Sequence, residues 1–114
     1  MTDVFVTTGE ELFVDTLAAD PMWGAIGTDS TGAVKGNTAL GTEVETRDSA
    51  TISQPTASTL RYLATVAATA TRLVREIGIL DASTAGILIF RADIALITLE
   101  SGDSLEMTVD LLVA

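Results

Sequence analysis

Residues 105–113 read Leu-Glu-Met-Thr-Val-Asp-Leu-Leu-Val and give the clearest structural signal in the chain. Apolar and polar residues alternate along this segment, which is typical of a β-strand with one buried face. The predicted inward face carries Leu105, Met107, Val109, Leu111 and Val113, and the outward face carries Glu106, Thr108 and Asp110. The segment therefore predicts a half-buried strand, preceded by a tight turn at residues 101–103.

Two apolar runs lie upstream of this strand and predict a hairpin. Residues 74–80 and 87–92 are separated by Asp-Ala-Ser-Thr-Ala-Gly at positions 81–86, which is turn chemistry. The second run continues or bends around residues 93–99. Glu76 and Arg91 each interrupt one run, and a charge among apolar neighbours is usually paired if it is buried. We therefore expect Glu76 to form a structural ion pair, with Arg91 or Arg47 as its partner.

The middle of the chain predicts further strands and one long loop. Residues 22–27 predict a short strand, residues 28–37 an exposed loop that is either mobile or a contact arm, and Thr38 a cap on a single turn at 39–41. Residues 43–53 predict an exposed strand that ends at a Gln54-Pro55 turn. Residues 59–80 fit both a strand alternation and a helical stripe: the Thr-rich spacing and Gly78 favour strands, and the alanines favour a helix.

The start of the chain predicts one short helix. Thr8 and Glu11 have the spacing of a capping box, and Asp20-Pro21 ends the segment, which gives a helix over residues 9–19. Its predicted apolar face carries Leu12, Phe13, Leu17 and Ala18. With six or seven strands to follow, the fold class expected is mainly β: an antiparallel β-sandwich or open barrel with one short N-terminal helix. We expect a single domain over residues 1–114, with residues 1–7 as an extended N-terminal arm.

Composition excludes several kinds of chemistry. The 114 residues include no Cys and no His, which removes disulfides, the usual zinc sites, and Cys or His catalysis. The formal net charge of −10 opposes binding to nucleic acid or to an anionic membrane surface. No signal peptide and no run of membrane-spanning length is visible, so we expect synthesis in a cytoplasm, no membrane partner and no nucleic-acid partner.

The polar motifs favour structural roles over catalytic ones. Gly27 and Gly32 have the spacing of a phosphate-binding loop, but Lys35 comes too late to complete it. Asp29-Ser30-Thr31 and residues 101–103 are better explained as turn formers than as calcium ligands. Acidic pairs such as Glu43 and Glu45 lack the aromatic residues that would line a sugar cleft. We therefore expect no enzyme activity, no cofactor and no metal.

Several short motifs together resemble a known group of proteins. They are Trp23-Gly24-Ala25-Ile26-Gly27-Thr28, Gly36-Asn37-Thr38-Ala39-Leu40-Gly41-Thr42-Glu43 with Arg47, Glu76-Ile77-Gly78-Ile79-Leu80-Asp81-Ala82, Gly86-Ile87-Leu88-Ile89-Phe90-Arg91, and Ser101-Gly102-Asp103-Ser104. The chain resembles small virion proteins of tailed bacteriophages, which are related to the N-terminal domains of phage tail-collar fibres. The resemblance favours two strands over residues 59–80 with a turn near 68–71. Residues 27–29 and 36–37 depart from the group's pattern but keep residues that form turns.

The resemblance implies a structural role in the virion. One placement is a capsid decoration (cement) protein, often trimeric, on the outer surface of the major capsid lattice. The alternative is a tail, collar or fibre-attachment component. The expected partners are copies of the chain itself, as a homotrimer, and the major capsid protein. Candidate assembly contacts are Val4, Phe5 and Val6 in the arm, and Asp29, Ser30, Thr31 and Lys35 in the loop.

A different class of function stays open beside the virion role. A β-sandwich of this kind could be a receptor- or carbohydrate-binding module. Such a module stacks sugars on exposed aromatic rings, and only Trp23 and Tyr62 are large candidates here. Trp23 is also the candidate better suited to the core.

Overall fold

A computed structural model describes residues 7–112 and shows a β-sandwich with one helix. In chain order the elements are α1 (Thr7–Ala18), β1 (Trp23–Gly27), β2 (Glu43–Ser49), β3 (Thr51–Thr56), β4 (Thr59–Ala67), β5 (Arg72–Leu80), β6 (Leu88–Leu99) and β7 (Ser104–Leu112). One sheet has the strand order β2-β1-β5-β6 and the other has β3-β4-β7, with every pairing antiparallel. The predicted mainly-β fold class is confirmed.

The core lies between the two sheets and contains mostly aliphatic side chains. Its fully buried members include Ile26, Leu60, Val66, Val74 and Ile79. The alternation predicted for the last strand is present, because Met107 and Val109 are buried while the residues between and beside them are exposed. Val113, the last residue of that predicted face, lies outside the described residues.

The ambiguous segment at 59–80 forms two strands joined by a short turn at residues 68–71. β4 and β5 belong to different sheets, so the turn carries the chain across the sandwich. The amide of Ala68 donates to Asp103 O at 2.8 Å, and that of Gly102 donates to Ala68 O at 2.9 Å. The two crossing turns, including the predicted one at 101–103, are thereby tied together at one end of the molecule.

The predicted strand over residues 43–53 is wrong in its continuity. The chain forms β2 up to Ser49, changes sheets at Ala50 and continues as β3. Ala50 N donates to Met22 O at 2.8 Å, which fixes this corner. The run is one extended stretch in sequence, but each half pairs with a different neighbour, and pairing is a non-local property.

Two predicted turns and one helix face are also corrected. Pro55 lies within β3 and not in a turn, because β3 is an edge strand and a break in its register between Ser53 and Thr56 accommodates the ring. Residues 39–41 form no helical turn. The helix spans 7–18 instead of 9–19. Leu17 and Ala18 of its predicted inward face pack against the core, but Leu12 is 68% exposed and Val14 is the fully buried residue instead.

Candidate functional site

A buried carboxylate on the outer face of the larger sheet anchors the long loop between β1 and β2. Glu76 in β5 has no exposed surface, and it is the one charged residue among the fully buried side chains of the described part. Its Oε2 accepts hydrogen bonds from the amides of Asp29 at 3.0 Å and Thr42 at 2.9 Å. Its Oε1 accepts from the amide of Gly41 at 2.8 Å and from Arg91 Nε at 3.0 Å. Both carboxylate oxygens are therefore satisfied.

The predicted Glu76–Arg91 pair is thus present, and Arg91 is its partner. Arg91 in β6 has a side chain that is only 4% exposed. Its remaining donors reach the loop: Nη1 donates to Asn37 Oδ1 at 3.0 Å and Nη2 to Thr31 O at 2.8 Å. One guanidinium therefore joins the carboxylate in the sheet to two points on the loop.

Glycine makes room for this arrangement. Gly27 lies directly opposite Glu76 across the β1–β5 pair. A Cβ at residue 27 would run into the Glu76 carboxylate and would lie 2.6 Å from Thr42 O. A Cβ at Gly41 would collide with the side chain of Asp29. The loop can approach the carboxylate this closely because neither position carries a side chain.

The loop is also fixed by contacts of its own. Asp93 Oδ2 accepts from the amide of Ala33 at 2.8 Å, and Asn37 Oδ1 accepts from that of Val34 at 2.8 Å. Leu40 is 7% exposed and packs in a small apolar cluster with Ala25 and Leu80. These contacts anchor the loop to the larger sheet, and its predicted role as a contact arm stays a prediction. We call Glu76, Arg91 and the loop residues bound to them the loop clamp.

Opposing effects act on the pKa of Glu76. Burial raises it, but the amides of Thr42 and Gly41, the guanidinium of Arg91 and the amide of Asp29 together lower it below its ordinary value. The carboxylate is therefore charged at neutral pH, and its negative charge compensates the positive charge of Arg91. Asp29 and Asp93 stand at the rim of the clamp, with oxygens 4.0 Å and 3.8 Å from Arg91 Nη2.

Arg47, the other candidate partner for Glu76, serves a different turn. Its guanidinium forms a two-point pair with Glu43, at 2.8 Å and 2.9 Å. Its Nη1 donates to the carbonyls of Ala82 and Ala85, both at 2.8 Å. Arg47 therefore holds the β5–β6 turn, where Ala85 adopts a left-handed φ of 51°.

A second carboxylate network was not found from the sequence. Glu45 in β2 has a left-handed φ of 67° and accepts from Arg72 Nε and from both the amide and the hydroxyl of Thr69, each at 2.8 Å. The Arg72 guanidinium and the Thr69 donors lower the pKa of Glu45 to about 2. Glu45 thereby ties the edge of one sheet to the turn that crosses to the other. No local pattern marks it, because its partners lie 24 and 27 residues away.

The predicted assembly contacts fall in different places. Ser30 and Lys35 are exposed at the tip of the loop, while Asp29 and Thr31 take part in the clamp and Asp29 Oδ1 accepts from the amide of Thr31 at 2.9 Å. This bond forms the local turn expected of Asp29-Ser30-Thr31. Val4, Phe5 and Val6 lie outside the described residues.

Beside the loop, β6 presents an apolar surface. Ten large apolar side chains are exposed among those described. Six of them lie on β6, immediately before it, or on the loop beside it: Val34, Ile87, Ile89, Phe90, Leu96 and Ile97. A groove of about 400 Å³ runs between the loop and the first half of β6, with Lys35 at its wall. A second groove of about 280 Å³, mostly apolar, lies between the second half of β6 and β7.

Other kinds of site find little support within residues 7–112. No cluster of three or more potential metal ligands is present there, and no helix in this part is long and apolar enough to cross a membrane. Tyr62 is 1% exposed and Trp23 is half-buried between β2 and β5, so neither is an open platform for stacking a sugar.

Neither of two comparisons with known proteins assigns the chain to a family. No protein-family model matches it, and a search of curated proteins finds no match.

Proposed function

We propose that this protein is a non-enzymatic structural component of a bacteriophage virion, acting as a decoration protein on the outer surface of the capsid. The observation that carries the proposal is the loop clamp. It holds a polar loop rigidly beside an apolar edge strand, and a fixed, chemically mixed surface is suited to adhesion.

The residues behind the resemblance to phage virion proteins support the proposal, because many of them meet at one place. Gly41, Glu76 and Arg91 belong to the loop clamp, and Gly27 lies directly opposite Glu76, so four residues scattered over 65 positions of the sequence meet there. A set of distant residues that builds one structural unit is more specific than the same number of isolated matches.

The electrostatics support an outward placement on the capsid. The formal net charge is −10. A surface of that sign is repelled by packaged nucleic acid, whose binding requires lysines and arginines. The exterior of a capsid imposes no such repulsion.

The carboxylates that a catalytic role would need are engaged in structure. Glu43 pairs with Arg47, Glu45 with Arg72, and Glu76 with Arg91. A general acid or base must be free to exchange a proton with a substrate. Three of the candidate acids are instead held by arginines, which supports a non-enzymatic function.

The mechanism proposed is adhesion through the loop tip. Val34 is 65% exposed and Lys35 stands beside it, so the tip offers an apolar and a basic contact on an otherwise acidic protein. Because the clamp has already ordered the loop, binding does not carry the entropic cost of ordering it. A stable contact of this type buries about 1,600 Å² in total.

The test is size-exclusion chromatography with light scattering, with and without purified capsids. Wild-type protein should co-elute with capsids, and Val34→Lys should weaken that binding by at least tenfold or so, since a charge replaces a buried methyl contact. Leu12→Lys is the matched control, because Leu12 is equally exposed (68%) but lies on α1. Absence of capsid binding by the wild-type protein overturns the decoration role. Binding to purified tails instead transfers the proposal to a tail or collar component.

A further inference from the structure

The four edge strands of the sandwich differ in how well they are protected against pairing with another strand. An exposed edge offers unpaired backbone groups, and proteins block such edges with charges, proline or breaks in register. The charged residues of β2 include Glu43, Glu45, Arg47 and Asp48. Pro55 and a break in register interrupt β3. In β7, Glu106 and Asp110 point outward. Three edges therefore carry a recognisable block.

β6 is the most apolar of the four edge strands, and its pairing with β5 is regular over residues 90–93, between two breaks in register at Ile89 and at residues 94–96. It is the longest strand, with 12 residues, and it pairs with β5 on one side only. Its two charged residues are Arg91 and Asp93, and both are turned onto the loop by the hydrogen bonds of the clamp. The other side of the sandwich is closed where the chain crosses from β2 to β3 at Ala50. On the β6 side the chain crosses to β7 at the turn of residues 100–103, and the apolar groove lies beside this crossing, between the second half of β6 and β7.

We propose that the free edge of β6 pairs antiparallel with β6 of a second copy of this chain, about a two-fold axis at Ala92. The proposal rests on the assembly role proposed above, and it names a two-fold self-contact in place of the homotrimer that the resemblance implies. In this register Arg91 lies opposite Asp93 of the second copy, Phe90 lies opposite Ile94, and Ala92 faces itself. Apolar pairs across two strands stabilise a sheet, and the charged side chains stay on the loop of their own copy, so that no like charges are brought together.

The faces of the strand agree with this register. Ala92 and Phe90 pair with Ile77 and Ile79 of β5, on the core side of the sheet, and Ile94 packs against the core. Arg91 and Asp93 pair with Gly78 and Glu76, on the outer side. Residues opposite each other in antiparallel strands project to the same face. Over residues 90–94, the two side chains of every pair between the copies therefore lie on the same face of the sheet, and none of these pairs brings like charges together.

Charge favours β6 over other surfaces as the self-contact. Two copies with a formal net charge of −10 repel each other. β6 itself is neutral, because Arg91 and Asp93 cancel. In β7, Asp110 pairs with Arg61 of β4, but Glu106 has no ion-pair partner among the described residues. A second copy can therefore approach along β6 without placing unpaired like charges in contact.

An irregularity in β6 adds an apolar end to the contact. Residues 94–96 all lie opposite Arg75 alone, so β6 bulges there. The bulge exposes Leu96 (52%) and Ile97 (37%) beside the apolar groove. The register brings Leu88 and Ile89 of the second copy to this end, so the exposed apolar residues at the two ends of β6 cover each other.

The first experiment uses the absence of cysteine from the chain. Ala92→Cys places one thiol on each side of the two-fold axis, within the Cα separation that a disulfide requires. Ala95→Cys is the matched control on the same strand. Its two copies lie six residues out of register, roughly 20 Å apart, which is beyond disulfide reach. Under mild oxidation A92C should form at least about tenfold more covalent dimer than A95C. Equal cross-linking of the two variants, or none, overturns the register.

A second measurement does not depend on the cysteine variants folding. The mass of the wild-type protein by light scattering should be twice that of the 11.8 kDa chain, across a dilution series. Leu96→Lys should give a monomer, and Leu12→Lys should leave the dimer unchanged. A wild-type monomer or a trimer overturns the proposal, and so does loss of the dimer on removing residues 2–6, because the N-terminal arm would then be the occupant of the edge. Capsid binding by V34K is scored separately, so failure of the β6 pairing and failure of the decoration role are distinguishable.

Discussion

Glu76→Gln is the most informative single substitution, because it changes charge and hydrogen bonding with almost no change in shape. The carboxylate accepts from four donors, two on each oxygen. An amide has one oxygen and one NH₂ group. Either orientation of the glutamine therefore turns its NH₂ toward two N–H donors, and it leaves Arg91 without its buried countercharge.

The loss of stability can be estimated from the burial of the Glu76–Arg91 ion pair. Removing one partner of a buried ion pair destabilises a protein by about 3–5 kcal/mol. Asp29 and Asp93 lie 4.0 Å and 3.8 Å from Arg91 Nη2 and retain part of the compensation, so we expect the lower end, about 3 kcal/mol. A domain of this size has a total stability of about 5–15 kcal/mol. The variant should therefore fold but be markedly weakened.

Urea unfolding followed by the fluorescence of Trp23, the one tryptophan, measures the effect. With a slope of about 1–3 kcal/mol per molar, the midpoint should fall by about 1–3 M. Hydrogen exchange adds a local readout, because the amides of Gly41 and Thr42 should lose protection. Glu106→Gln, on an exposed position of β7, is the matched control and should stay within about 0.5 kcal/mol of wild type. A loss below about 1 kcal/mol for Glu76→Gln would refute the view that the pair holds the loop.

Three further expectations follow from the contacts. The folded-state pKa of Glu45 is lowered to about 2, so its stabilising contribution is complete above the ordinary value near 4.5 and is lost as the pH falls toward 2. The free energy of unfolding should fall over this pH range, and the fall should be smaller in Glu45→Gln. Gly27→Ala should destabilise by roughly 1–3 kcal/mol, whereas Gly36→Ala, whose Cβ meets nothing within 4 Å, should be close to neutral in the same urea assay. Tyr62→Phe should leave thermal stability unchanged or higher, since the buried hydroxyl has no hydrogen-bond partner among the described residues; a loss above about 1 kcal/mol would show that it has one.

Local patterns in the sequence are sufficient for the strands that depend on local alternation. β7 is recognisable because one of its faces is buried and the other is exposed, so buried and exposed residues alternate along its sequence. The β5–β6 hairpin is recognisable because its turn residues lie between two apolar runs. The Glu76–Arg91 pair follows from the same hairpin, since Glu76 lies next to Asp93 and Gly78 lies opposite Arg91 across the two strands.

Features that depend on distant partners escape such reasoning. The sheet change at Ala50 is set by the carbonyl of Met22, 28 residues earlier. Pro55 suggests a turn until the strand is known to be an edge. The inward face of α1 depends on contacts with β3 and β4, which choose Val14 over Leu12. The position of the loop was unpredictable for the same reason: its anchors lie 34 to 47 residues away on β5.

The loop clamp and the free edge of β6 are physically linked through Arg91 and Asp93. These are the two charges that would otherwise protect β6 against pairing, and the clamp draws both onto the loop. If the clamp is broken at Glu76, Arg91 loses its buried countercharge and is free to turn toward solvent. An unpaired charge on an edge opposes a second strand. The clamp therefore has two effects in the proposed assembly: it presents the loop, and it removes the block from the strand that pairs. On this reasoning Glu76→Gln should weaken self-association as well as stability, even though Glu76 contacts no other copy.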